Sequence, residues 1–183
     1  MQTRDLVRIA LFAAIIGALG LLPKLDIPLA GGVPITAQTL GVMLAGAVLG
    51  ARNGTLAVVL FLFIVALGAP LLAGGRGGLA IFYLPSAGFI AGFVPGAFVT
   101  GLVMSRLANL PAPVAAISAS IVGGILVIYA VGVPVLAWRA DLDLWQAAAA
   151  TLLFVPGDII KAVLAGFIVE ALSRAAPQVV SGQ

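Results

Sequence analysis

The chain has 183 residues, of which nine are Lys or Arg and six are Asp or Glu, giving 8% charged residues and a net charge of +3. A soluble domain carries about a quarter charged residues, and a composition that is 63% hydrophobic leaves too few polar side chains to cover an outside in water. Cysteine and histidine are absent, which excludes disulfides, thiolate and imidazole metal sites, histidine bases and every nucleophile that relies on them.

The composition therefore calls for a bilayer. A hydrocarbon core about 30 Å thick takes roughly 20 apolar residues per helical crossing, which leaves room for about six crossings and no soluble domain. Residues 1–183 are read as a single all-α transmembrane domain. The positive charge does not suggest nucleic acid, because the basic residues are single and scattered rather than gathered on a face.

In chain order, Arg4 and Arg8 precede the first apolar run. A secretory signal has this beginning, but the sequence beyond it is as apolar as the run itself, so 6–22 is the first span. Ala10, Ala14 and Ala18 lie along it at a spacing of four, a small-residue stripe that lets another helix approach closely. The second span, 35–51, stops at Arg52-Asn53-Gly54, and the third, 55–72, runs into Gly74-Gly75-Arg76-Gly77-Gly78. The fourth covers 86–104, ahead of Arg106, Asn109, Pro111 and Pro113, and the fifth covers 114–138. A charged turn with Arg139, Asp141 and Asp143 leads to the sixth, 144–172.

Positive residues stay on the cytoplasmic side of a membrane. With six spans, an inside N-terminus puts Arg4, Arg8, Arg52, Arg106 and Arg174 on that side and only Lys24, Arg76 and Arg139 outside. Both termini are thus expected in the cytoplasm. The outer loops, Pro23 to Pro34, Ala73 to Pro85 and Arg139 to Asp143, are the longer ones, which points function outward.

The informative residues are the polar ones that a bilayer penalises. Asp158 and Lys161 stand inside the sixth run, in Phe154-Val-Pro-Gly-Asp-Ile-Ile-Lys161. Their spacing puts both on one helix face, where they can satisfy each other and still offer an acceptor and a donor to a ligand. A purely structural ion pair is the competing use. Pro156-Gly157 breaks the backbone just upstream, and such breaks are tolerated where they line a cavity or are buried by protein. Gly74 to Gly78 can bring backbone N–H groups close to a ligand, or can be an outer loop whose Arg76 meets only water. Thr36, Gln38 and Thr39 sit at the outer end of the second run, and the Gln38 amide suits either an amide-like ligand or helix-to-helix hydrogen bonds. Trp138 and Trp145 flank the last outer loop, as interfacial anchors first and for stacking on a ligand second.

Four motifs in order, Val33-Pro34-Ile35-Thr36-Ala37-Gln38-Thr39, Gly68-Ala-Pro70 leading to Gly74-Gly75-Arg76-Gly77-Gly78, Pro85-Ser86-Ala87-Gly88-Phe89 and Phe154-Val-Pro156-Gly157-Asp158-Ile-Ile-Lys161, resemble the biotin-specific S components (BioY type) of energy-coupling-factor (ECF) vitamin transporters. The resemblance spans nearly the whole chain. It implies the ECF S-component fold, six helices that capture biotin from outside and carry it across the inner membrane of a prokaryote. It implies that Asp158 and Lys161 reach the ligand's head group, helped by Gly74, Gly75 and Gln38, in a pocket whose apolar lining includes Tyr83. Ala10, Ala14 and Ala18 would then dock a transmembrane coupling subunit driven by ATPase subunits, with lipid around the rest. Working alone, or as a homo-oligomer, is the other arrangement the resemblance leaves open. Some relatives carry a basic residue shortly after the fourth-span motif, where this chain has Phe89-Ile90; Arg76 is the residue expected to take over the biotin carboxylate.

No catalytic residue, metal or cofactor is expected. An S component for another vitamin shares the architecture. From other classes, a membrane-embedded enzyme has little to build on in six scattered acids without histidine; a structural membrane subunit or channel comes third, and a dedicated pore would show a charge ring or filter repeat.

Overall fold

The computed structural model describes residues 2–26 and 33–175. The middle of the first outer loop, 27–32, and the residues from 176 onward lie outside the described residues.

Helix α1 (Thr3–Leu19) opens on a reciprocal cap, in which the Gln2 N–H donates to Asp5 at 3.0 Å. Two-residue strands β1 (Leu25–Asp26) and β2 (Pro34–Ile35) pair antiparallel, Leu25 opposite Ile35. Helix α2 (Gln38–Ala66) is a continuous run with one non-helical residue, Gly50, at φ 78°. A Cβ on Gly54 would lie 2.5 Å from the Ala45 carbonyl oxygen. Nine residues of straight helix would separate those positions by about 13 Å, so the chain folds back on itself at Gly50. Its arms, 38–49 and 51–66, run antiparallel. The turn is at Gly50, with Arg52-Asn53-Gly54 inside the second arm, because only glycine takes a positive φ without strain.

Helix α3 (Ala87–Arg106) packs most extensively on α2 and follows a 3-10 turn, Leu79–Tyr83. Helix α4 (Ala112–Ala119) passes through a π segment, Ser120–Val127, into α5 (Ile128–Arg139) without interruption. Helix α6 (Leu144–Thr151) is capped by Asp143, whose carboxylate accepts from the Gln146 N–H at 2.7 Å. It meets α7 (Val155–Ala175) at a bend of 51°. Pro156 therefore stands in the first turn of α7, where its missing N–H costs nothing, and the chain bends before it. The 144–172 run of the sequence reading is in this way a short helix and a long one.

By length and composition, Ala87–Arg106 and Ala112–Arg139 can each cross a membrane and the bent α6–α7 pair can make another; Gln38–Ala66 is long and apolar enough as well, but its reversal at Gly50 makes it two antiparallel arms rather than one crossing. Phe61, Ile16, Met43, Ile128 and Leu136 are buried at the centre, while Phe63, Leu126, Ile160 and Phe167 are exposed as large apolar side chains on the outside. An apolar outside of this kind is what acyl chains require. The fold is an all-α membrane fold, with the start of α2, the start of α3, α5 and the start of α7 converging on one end.

Candidate binding cavity

A cavity bordered by Thr39, Arg76, Phe89, Tyr129, Asp158 and Lys161 lies at that convergence. Its apolar wall is aromatic: the Phe89 ring stands edge-on to Tyr129 at 6.0 Å and to Phe154 at 6.3 Å. Rings at these distances and angles hold one another in place.

The polar wall is built on α7. Phe154 accepts the backbone N–H of Asp158 at 3.0 Å, so the first turn sets the acid's direction. Asp158 is 4% exposed and Lys161 donates to its Oδ1 at 2.7 Å across one turn. The Thr39 hydroxyl, from the start of α2, lies 3.2 Å from the same Oδ1 and accepts from Lys161 Nζ at 3.0 Å. The Tyr129 hydroxyl, from α5, donates to Asp158 Oδ2 at 2.6 Å. Helices α2, α5 and α7 are thus tied together by one buried charge pair and two hydroxyls.

Gln38 adjoins Thr39 and does something different. It is 1% exposed, its amide donates to the Ile16 carbonyl of α1 and to the Leu71 carbonyl, each at 3.1 Å, and its oxygen accepts from the Ala73 N–H at 3.1 Å. Although it borders the cavity, its amide fastens α1, α2 and the loop after α2 to each other.

That loop holds the second cation of the cavity. Leu72 and Arg76 exchange backbone hydrogen bonds at 3.0 and 3.2 Å around a turn in which Gly74 and Gly75 have φ of 80° and 70°. The two glycines make the turn; Leu72 and Arg76, at its base, border the cavity. The Arg76 guanidinium is braced by Nε donation to the Ala73 carbonyl at 3.1 Å, with Nη1 3.5 Å from the Ser86 hydroxyl.

Tyr83 stands apart. It is 70% exposed, has the Arg139 guanidinium 5.6 Å from its ring centre, and is not among the cavity's residues. Ala10, Ala14 and Ala18 are exposed along α1 and border an apolar groove between α1 and the second arm of α2. Of the site residues read from sequence, Asp158, Lys161, Arg76 and Gln38 come together here; Gly74 and Gly75 lie just behind and Tyr83 lies outside. Tyr129 was missed, although a phenol inside an apolar run, in a chain with only two tyrosines, is a signal of the same kind as the buried charges.

A family model described as the BioY family matches residues 1–178. The chain is 52% identical over 177 residues to the biotin transporter BioY of Rhizobium etli, covering 94% of each chain. It is 47% identical over 184 residues to the biotin transporter BioY of Rhodobacter capsulatus, covering 95% of each. Among solved structures, it is similar to the S-component for biotin from an ECF-type ABC transporter, with a TM-score of 0.88, 31% identity and 96% of each chain covered.

Proposed function

The chain belongs to the BioY family, and from that premise we propose that it is the biotin-binding S component of an ECF-type transporter, taking up biotin across the membrane and doing no catalytic chemistry. The observation that carries this reading is a count of hydrogen-bonding capacity at α7. Asp158 receives Lys161 and Thr39 on Oδ1 and Tyr129 on Oδ2. A carboxylate offers roughly four lone-pair positions, so one is left, and it is on Oδ2. Lys161 Nζ spends donors on Asp158 and Thr39 and keeps one more. One acceptor beside one donor, in an aromatic cavity, matches the adjacent N–H and C=O of a ureido ring.

Asp158 and Lys161 are therefore the residues that meet the head group. Arg76, on the loop side of the cavity, is the group for the valerate carboxylate, since a guanidinium pairs a carboxylate with two parallel donors. Gly74 and Gly75 act by holding Arg76 there. Gln38 acts by holding the loop, and Tyr83 belongs to the outer surface.

The inner membrane of a prokaryote, with both termini cytoplasmic, is supported by where the positive charges fall. Gln2 and Asp5 share a surface depression with Gly50, Arg52 and Asn53, so the Arg4 and Arg52 regions are at one end, opposite the cavity's loop. The groove beside Ala10, Ala14 and Ala18 has the close-approach surface that a transmembrane coupling subunit needs, with ATPase subunits behind it. The experiment is binding of labelled biotin to the purified protein with thiamin and riboflavin as competitors, followed by uptake in cells that also make the coupling and ATPase subunits, with Ala14→Trp alongside. The expected result is biotin-selective binding in both forms and uptake lost only in Ala14→Trp. A folded wild type that bound no biotin would overturn the substrate, and unimpaired uptake by Ala14→Trp would overturn the docking face.

A further inference from the structure

The remaining acceptor position of Asp158 is on Oδ2, and its direction is set by what holds the carboxylate. Oδ1 is occupied by Lys161 and Thr39, on the side of α2. Oδ2 is held from α5 by the Tyr129 hydroxyl at 2.6 Å. Without that second point of attachment the carboxylate would be held through Oδ1 alone, and χ2, a broad torsion, would set the open lone pair of Oδ2 less tightly. With it, the plane of the carboxylate is pinned from two helices.

Tyr129 is itself placed with care for direction. It follows the π segment Ser120–Val127 by two residues, and a π turn carries one more residue than an α turn, so the segment resets which face of α5 looks into the cavity. Its ring is fixed edge-on against Phe89. The ring, the hydroxyl and the carboxylate form a chain from the apolar wall to the charge.

We propose that Tyr129 is a positioning residue for ligand recognition: its hydroxyl, donating to Asp158 Oδ2, aims the one open lone pair of the carboxylate at a ureido N–H of the ligand. The inference rests on the reading of Asp158 as the head-group acceptor. Selectivity for an unsubstituted ureido nitrogen then depends on a residue of α5 acting through α7.

The test compares biotin with an analogue methylated on the ureido nitrogen, each binding to the purified full-length protein, for wild type, Tyr129→Phe and Asp158→Asn. Phenylalanine keeps the ring and its contact with Phe89 and removes only the hydroxyl. Loss of a hydrogen bond to a charged group is expected to weaken biotin about tenfold or more in Tyr129→Phe. The methylated analogue, which cannot use the aimed lone pair, should bind Tyr129→Phe and wild type alike, so the preference for biotin shrinks. A loss shared equally by both ligands, or no loss at all, would overturn the inference, because a change in cavity shape does not distinguish them. If Asp158→Asn leaves biotin affinity unchanged, the underlying reading of Asp158 fails instead. Tyr129→Met, which also lacks the hydroxyl, gives the same comparison should the Phe form not fold.

Discussion

Gln38 and Thr39 are neighbours at the start of α2, both border the cavity, and they belong to two different polar systems. Around Gln38 three neutral hydrogen bonds join α1, α2 and the loop, with both amide donors spent and the amide oxygen accepting once. Around Thr39 a carboxylate, an ammonium and a phenol share their bonds unevenly, and an acceptor and a donor are left over. A closed set of hydrogen bonds inside a membrane stabilises a junction. An open set at the wall of a cavity leaves a charged acceptor and donor that a ligand can complete.

The sharpest way to break this contrast is to close or empty the open set. Asp158→Asn removes the charge that Lys161 faces, and Lys161→Ala leaves Asp158 buried without its cation. Breaking a buried pair by one partner costs about 3–5 kcal/mol, and if the ligand shares that pair, its affinity should fall about a hundredfold or more in either variant. Equilibrium binding of labelled biotin is the measurement. Affinity at the wild-type level in both would make the α7 cluster a junction like the one at Gln38.

The complementary change is Gln38→Leu, and its expected effect is on stability. It leaves two backbone carbonyls and the Ala73 N–H without their partner in a buried seam, and each such group costs about 1–3 kcal/mol, part of it recovered by relaxation. The melting temperature in detergent should drop clearly, with biotin affinity of the folded protein within about threefold of wild type, since both Gln38 donors are spent on backbone carbonyls and its oxygen already accepts from Ala73. A variant that kept its melting temperature and lost its biotin would reverse the assignment and put Gln38 among the ligand groups.

The same contrast explains what could be read from sequence. Asp158 and Lys161 are legible because charge in an apolar run is rare and a spacing of three shares a helix face. The all-α membrane fold is legible from hydropathy, and the match to a solved S component bears it out. The division of labour between Gln38 and Thr39 is not legible, because consecutive helical residues point about 100° apart and nothing in the residue types says which one meets the neighbour. Tyr129 escapes for a related reason: its direction depends on the π segment before it, and a shift in helix register leaves no periodic trace in a run that is apolar all round. Tyr83, which the resemblance placed in the apolar lining, is 70% exposed here, and the 3-10 turn Leu79–Tyr83 carries it outward to Arg139.

Arg76 lies between the two systems, and the smallest expected effect separates them. Its backbone closes the turn that Gln38 helps to hold through Ala73, while its guanidinium borders the cavity that Asp158 closes at the other wall. If the guanidinium meets the biotin carboxylate, Arg76→Ala should weaken biotin about tenfold, the value of a hydrogen-bonded charge pair with some water access. It should leave unchanged the affinity for biotin amide, which has no carboxylate to lose. The backbone bonds to Leu72 do not involve the side chain, so the turn survives the substitution and the melting temperature should hold. An equal loss for biotin and its amide would mean that Arg76 works as Gln38 does, by bracing the loop through Ala73 and Ser86. A loss for biotin alone would extend the open set across the cavity, with a carboxylate and an ammonium for the ring at one wall and a guanidinium for the chain's end at the other.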